Sequence, residues 1–167
     1  EMIRGFFMEI IIRSGNLNDI PFISRLLKAY LDFSLSPLRR YLTHEIEKCR
    51  SEFCNELKKR LEEKTLISFI AEEKESHSFL GFCLVEDVRD SVTGEDEIYV
   101  NNIAVEESAM GKRVSNKLLK RVEEYAIERG IPVVTGDITV ANRRSMLFAM
   151  RYFNYKPEKV VLLKYLE

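Results

Sequence analysis

Apolar positions in this chain follow two rhythms, short runs with a period near two and longer stretches with a period near 3.6. Residues 9–13 (EIIIR) read as a first strand. Asn18 or Asp19 is placed to cap a helix, and Pro21 is tolerated in its first turn. Ile20, Ile23, Leu26, Leu27, Tyr30 and Leu31 then fall at helical spacing. Ser36-Pro37 breaks the run, and Thr43 is placed to cap a second helix with the stripe Ile46, Cys49, Phe53, Leu57 and Leu61. Residues 66–71 and 79–85 read as strands around the polar turn 72–78, and Gly94 within SVTGED marks another hairpin turn. Residues 98–105 form a fourth strand. The helix after it carries Val114, Leu118, Leu119, Val122 and Tyr125 on one face and ends at Gly130 and Pro132. A fifth strand over 133–138, a helix from Asn142 to about Tyr152 and a last strand over 160–166 complete the order. No repeat, linker or low-complexity segment interrupts it, so residues 8–167 are expected to form one domain.

Composition narrows the function classes. The 167 residues are enough for one sizeable core. Lys+Arg 26 against Asp+Glu 27 leaves no basic field, which argues against nucleic acid as a partner. The three cysteines (Cys49, Cys54, Cys83) cannot all pair and form no C-x-x-C, and the two histidines lie far apart, so no metal site is expected. A reducing, cytoplasmic setting follows. The opening EMIRGFFMEIII meets Arg13 too soon for a membrane span. Met8 reads as a natural start, with residues 1–7 an extension or an expression remnant.

The chemistry concentrates in residues 97–119, EIYVNNIAVEESAMGKRVSNKLL. An apolar strand passes through a short acidic turn into Met110-Gly111-Lys112-Arg113, and an amphipathic helix follows at once. Such an order gathers backbone N–H groups, a helix N-terminus and two cations at one point, an anion site in the making. The segment resembles the cofactor-binding core of the GNAT superfamily, the acyl-CoA-dependent N-acyltransferases, and the order of strands and helices is similar over essentially the whole chain. The resemblance implies an α/β (α+β) fold, with a mixed, mostly antiparallel sheet of about six to seven strands and helices on both faces.

In that family the loop carries Q/R-x-x-G-x-G/A and cradles the pyrophosphate of coenzyme A. Alignment on Val105 and on Leu118-Leu119 needs no gap and matches Gly111 and Val114. Met110 stands in place of Arg or Gln, Arg113 in place of a glycine, Ser115 in place of Gly or Ala, and Glu107 in place of a proline. Ser115 is small and brings a further donor. Arg113 has two readings. If its backbone needs positive φ, it costs roughly 1–2 kcal/mol; if its backbone is helical, a cation is gained beside a dianion. The resemblance assigns the loop Met110, Gly111, Lys112, Arg113, Val114 and Ser115 to the cofactor. It assigns the main chain of Ile103, Ala104 and Val105 to the pantetheine arm, with the Val105 N–H polarising the thioester carbonyl. Asn142-Arg143-Arg144-Ser145 is similar to the family's N-x-x-A segment, which brings Asn142 and Ser145 to the cofactor, a role compatible with Asn142 as a helix cap.

Many family members place a glutamate four residues before the position of Val105. Here that residue is Asn101, which takes no proton and would act by holding a water. Glu97 points to the same face about 13 Å away, and Asp137 lies on the neighbouring strand. The usual positions of the tyrosine acid hold Ala149 and Met150, so Tyr152 is the nearest phenol. Tyr30, Asp32, Phe33, Leu35 and Tyr41 are expected to shape the acceptor pocket; Asp32, Glu95, Asp96 and Glu97 could attract a cation, although a charge run such as GEDE reads first as a solvated turn. The implied reaction is acetyl transfer from acetyl-CoA to a small-molecule, peptide or protein amine by direct attack in a ternary complex. A homodimer is compatible with it. The alternative is a GNAT-fold module that binds coenzyme A or regulates, with turnover impaired.

Overall fold

Strand β4 (Asp96–Val105) runs next to the centre of a five-stranded sheet. The computed structural model describes residues 8–166, so the reading of residues 1–7 lies outside it. The other elements are β1 (Ile10–Ser14), α1 (Ile20–Tyr30), α2 (Thr43–Glu62), β2 (Ile67–Glu73), β3 (Phe79–Arg89), α3 (Val114–Arg129), β5 (Val133–Thr135) and α4 (Arg143–Phe153). The sheet order is β1-β2-β3-β4-β5; the first three pairings are antiparallel and β4–β5 is parallel.

β2 and the first half of β3 are buried nearly throughout, and because successive side chains point to opposite faces the sheet has two covered faces. On one face, Val114, Leu118, Val122 and Ala126 of α3 pack on Phe69, Cys83, Val85 and Ile98. On the other, Phe22, Ile23, Leu26 and Leu27 of α1, with Leu57 of α2, pack on Ile70, Phe82, Leu84 and Ala104. Complete burial raises the Cys83 thiol far above its ordinary range, so it behaves as an apolar core group.

The entry to α1 is more elaborate than a simple cap. Asp19 occupies the cap position of α1 but makes no side-chain cap bond there; Asn16 caps a preceding 3-10 turn over Leu17–Asp19, where its side chain accepts from Asn18 N and Asp19 Oδ2 accepts from Asn16 N at 2.8 Å. This frees Asp19 to receive Arg13 through two 2.8 Å hydrogen bonds, while Arg13 Nε donates to Glu72 at 2.8 Å. Leu42, not Thr43, occupies the cap position of α2, and no side chain caps it. Asn142 does cap α4, accepting from Ser145 N at 3.2 Å, and Gly130 closes α3 at φ 69°.

The last expected strand is not one. Residues 160–166 lie outside the sheet, and Val160, Val161, Leu162 and Leu166 are exposed, so the described residues make five strands rather than six or seven. The segment VVLLKYL is apolar, but it pairs with no strand of the sheet. The tail is held by side chains instead: Lys159 pairs with Asp90 at 2.6 Å, and Arg40 stacks its guanidinium over the Tyr165 ring. None of the described helices is long and apolar enough to cross a membrane.

Candidate active site

Two local irregularities in β4 open the site. On the β3 side, Leu84 pairs with Asn102 and Val85 with Val100, which leaves Asn101 as the extra residue of a β-bulge. On the β5 side, pairing covers only Glu97↔Val133, Ile98↔Val134 and Tyr99↔Thr135. A Cβ on Gly136 would lie 3.2 Å from the Val100 carbonyl oxygen, so glycine allows the two strands this one last close approach. Beyond it they part. Ile103, Ala104 and Val105 still pair with Cys83, Phe82 and Gly81, and the main-chain groups they turn away from β3 face the opening. Gly81 is required here as well, since a Cβ there would approach the Ala104 oxygen to 2.6 Å.

The strand leads into a 3-10 turn, Glu107–Ala109, anchored by buried Ala109. Arg25 of α1 pairs with Glu106 beside Val105 and lies over the Phe22 ring. Met110, Gly111, Lys112 and Arg113 then stand exposed before α3 begins at buried Val114, and Ser115 is half-buried in its first turn. Gly111 has φ 79° and Arg113 φ 62°, ψ 23°. Among the described residues, no protein acceptor takes the N–H groups of Gly111, Arg113, Val114, Ser115 and Asn116. Free amides, a helix N-terminus and two exposed cations are a donor set that fits a pyrophosphate.

Arg113 is therefore left-handed, and the first of its two readings holds: it carries strain of roughly 1–2 kcal/mol. Glycine relieves that strain and gives back part of it as lost chain entropy. Arg113→Gly is expected to raise the thermal midpoint by about 2–4 °C, the equivalent of roughly 1 kcal/mol for a chain of this size. A midpoint at or below that of the wild type would show that the guanidinium makes a compensating contact.

Around the bulge, Asn101 Nδ2 donates to Glu86 Oε1 of β3, and Glu86 Oε2 receives Arg60 Nη2 of α2 at 2.6 Å. Sequence reading missed Glu86. Its one signal was position, a carboxylate ending the apolar run FLGFCLV. Glu97 is 9% exposed and accepts from Thr135 Oγ1 at 2.9 Å, so a strand hydroxyl already engages it. Asp137 is next to Tyr99, whose phenol is raised above its ordinary range by burial first and then by that carboxylate.

On the acceptor side, Phe33 stacks on Tyr30 with centroids 5.9 Å apart, and its carbonyl receives Thr139 Oγ1 at 3.2 Å, which ties the end of α1 to the segment after β5. Asp32 is paired with Arg50 and so is partly neutralised. Ser145 spends its N–H on the Asn142 cap. Tyr152 is 69% exposed on α4, its ring 5.5 Å from that of Phe148. Among the described residues, no group of three or more His, Cys, Asp or Glu could hold a metal ion.

Comparisons with known proteins bear on the family and the fold. Residues 24–155 match the model of the acetyltransferase (GNAT) family. Among solved structures, a Pyrococcus furiosus protein described as an acetyl transferase is 24% identical, with 95% of this chain and 100% of that chain covered and a TM-score of 0.73. A Clostridium acetobutylicum protein described as a predicted acetyltransferase, solved with acetyl-CoA, is 16% identical over 94% of this chain and 96% of that one, with a TM-score of 0.68. The aminoglycoside N-acetyltransferase AAC(6')-Iy, solved with CoA, is 18% identical over 94% and 95%, with a TM-score of 0.69. No curated protein matches significantly. With its element order and most of its length matched, the chain belongs to the acetyltransferase (GNAT) family and is an acyltransferase.

Proposed function

We propose that this chain transfers an acetyl group from acetyl-CoA to an amine by direct attack in a ternary complex. The observation that carries the reading is the opening between β4 and β5, set beside a loop of free amides at the start of α3. The amides from Gly111 to Ser115, with Lys112, Arg113 and the Ser115 hydroxyl, would hold the pyrophosphate, and Met110 would flank it. The main chain of Ile103 to Val105 would pair with the pantetheine amides, near Asn142 and Ser145. Acetyl-CoA would supply the acetyl group as an activated thioester, with coenzyme A leaving as the thiol. The Val105 N–H then stabilises negative charge developing on the carbonyl oxygen. Asn101 faces the incoming amine, and the Tyr152 hydroxyl donates to the departing sulfur. Two solved relatives hold acetyl-CoA or CoA, and AAC(6')-Iy is an aminoglycoside acetyltransferase, which supports an amine as the acceptor class. Three free cysteines are in keeping with a cytoplasmic setting.

Acetyl-CoA at about 100 times its Kd is expected to stabilise the protein by about 2.7 kcal/mol, a rise of roughly 5–10 °C in thermal midpoint. Thiol release is then followed with a panel of aminoglycosides, small amines, peptide N-termini and lysine. No thermal shift at millimolar acetyl-CoA sinks the proposal. A shift without thiol release from any amine favours the module with impaired turnover, a reading that Asn101, in place of a base, specifically supports.

A further inference from the structure

The hydrogen bond across the bulge decides how the Asn101 amide is oriented. A carboxylate only accepts, so the nitrogen of the Asn101 amide, not its oxygen, must face Glu86 Oε1. The planar amide then turns Oδ1 away from β3, and no other side chain among the described residues engages that oxygen. Glu86 is fixed in turn, because Arg60 of α2 holds its other oxygen at 2.6 Å. The bulge is what makes the contact reachable: as the extra residue between Val100 and Asn102, Asn101 escapes the strict alternation of the strand. A chain of α2, β3 and β4 thus ends in one oriented carbonyl oxygen.

From this arrangement we propose that Glu86 is a positioning residue of the amine subsite: it sets the Asn101 amide so that Oδ1 accepts a hydrogen from the incoming amine nitrogen. This rests on the function proposed above. An acceptor at that point aligns the amine by one N–H and leaves its lone pair for the carbonyl carbon. It takes no proton, so the amine proton leaves to water.

The test uses the amine that the wild type acetylates fastest in the panel. Glu86→Ala is expected to lower kcat/KM for the amine by about ten- to a hundredfold, the scale of a small misplacement of a reacting group, with acetyl-CoA affinity unchanged. Glu86→Gln keeps one acceptor oxygen for two donors, and the charged Arg60 takes it, so its loss should approach that of Glu86→Ala. Asn101→Ala should fall as far as Glu86→Ala, and the double variant no further, since both remove one unit. If Glu86→Ala melts below the assay temperature because Arg60 loses its partner, Glu86→Met keeps the stem and carries the same expectation. Wild-type rates in Glu86→Ala, wild-type rates in Asn101→Ala, or multiplied losses in the double variant would each overturn the assignment alone. A wild type that binds acetyl-CoA and acetylates no amine would overturn the proposed function along with it.

Discussion

Tyr152→Phe is expected to lower kcat by about a hundred- to ten-thousand-fold, the usual range for one general acid, while acetyl-CoA binds as before. The substitution removes one hydroxyl and keeps the ring beside Phe148, so α4 loses no packing. A phenol at neutral pH carries the proton that a departing thiolate needs. Ala149 and Met150, at the positions where the resemblance expects the acid, have none to give. Because Tyr152 is 69% exposed, its hydroxyl gives up little hydration-dependent stability when removed, and the thermal midpoint should be unchanged. Steady-state rates with saturating acetyl-CoA read the effect. Unchanged turnover would remove Tyr152 from the mechanism and leave the sulfur to depart unassisted.

The second large effect is on stability. Asp19→Ala should cost about 3 kcal/mol, because it leaves the partly buried Arg13 with Glu72 alone and strips the cap of its acceptor. Burial of Asp19 opposes its ionisation, yet the Arg13 guanidinium and the Asn16 N–H outweigh it and hold the carboxyl below its ordinary range. Glu72 shows the same balance, with burial opposed by Arg13 and His77. Both groups ionise more readily folded than unfolded. Their contribution is therefore complete above the ordinary carboxylate range and drains away as pH falls below about 4.5 toward the folded values. Chemical denaturation from pH 7 to 3 should show wild-type stability falling through that window and a shallower fall in Asp19→Asn. Parallel curves would assign the acid sensitivity to other groups.

Most of the fold is legible in the chain because its signals are local. The helical spacing of Ile20 to Tyr30, the run FLGFCLV and the Gly130-Pro132 stop each specify an element without reference to a neighbour. Residues 160–166 misled because an apolar run alone does not make a strand, which also needs an edge to pair with. In the site, Gly111 and the start of α3 could be read from residue types. The Arg113 backbone, the bulge at Asn101 and the role of Glu86 could not, since they depend on register between strands and on φ.

The short contact between β4 and β5 has a consequence for how a ligand enters. Three parallel pairs hold the last strand, and α4 has no buried residue. Hydrogen exchange should find this part opening far below the cost of global unfolding, while the antiparallel strands stay protected. The segment that carries Asn142, Ser145 and Tyr152 is thus the one most cheaply rearranged. A long, thin molecule slipping between the strands beyond Tyr99 has no sheet hydrogen bond to break, and those it makes with β4 complete a ladder that folding left half built.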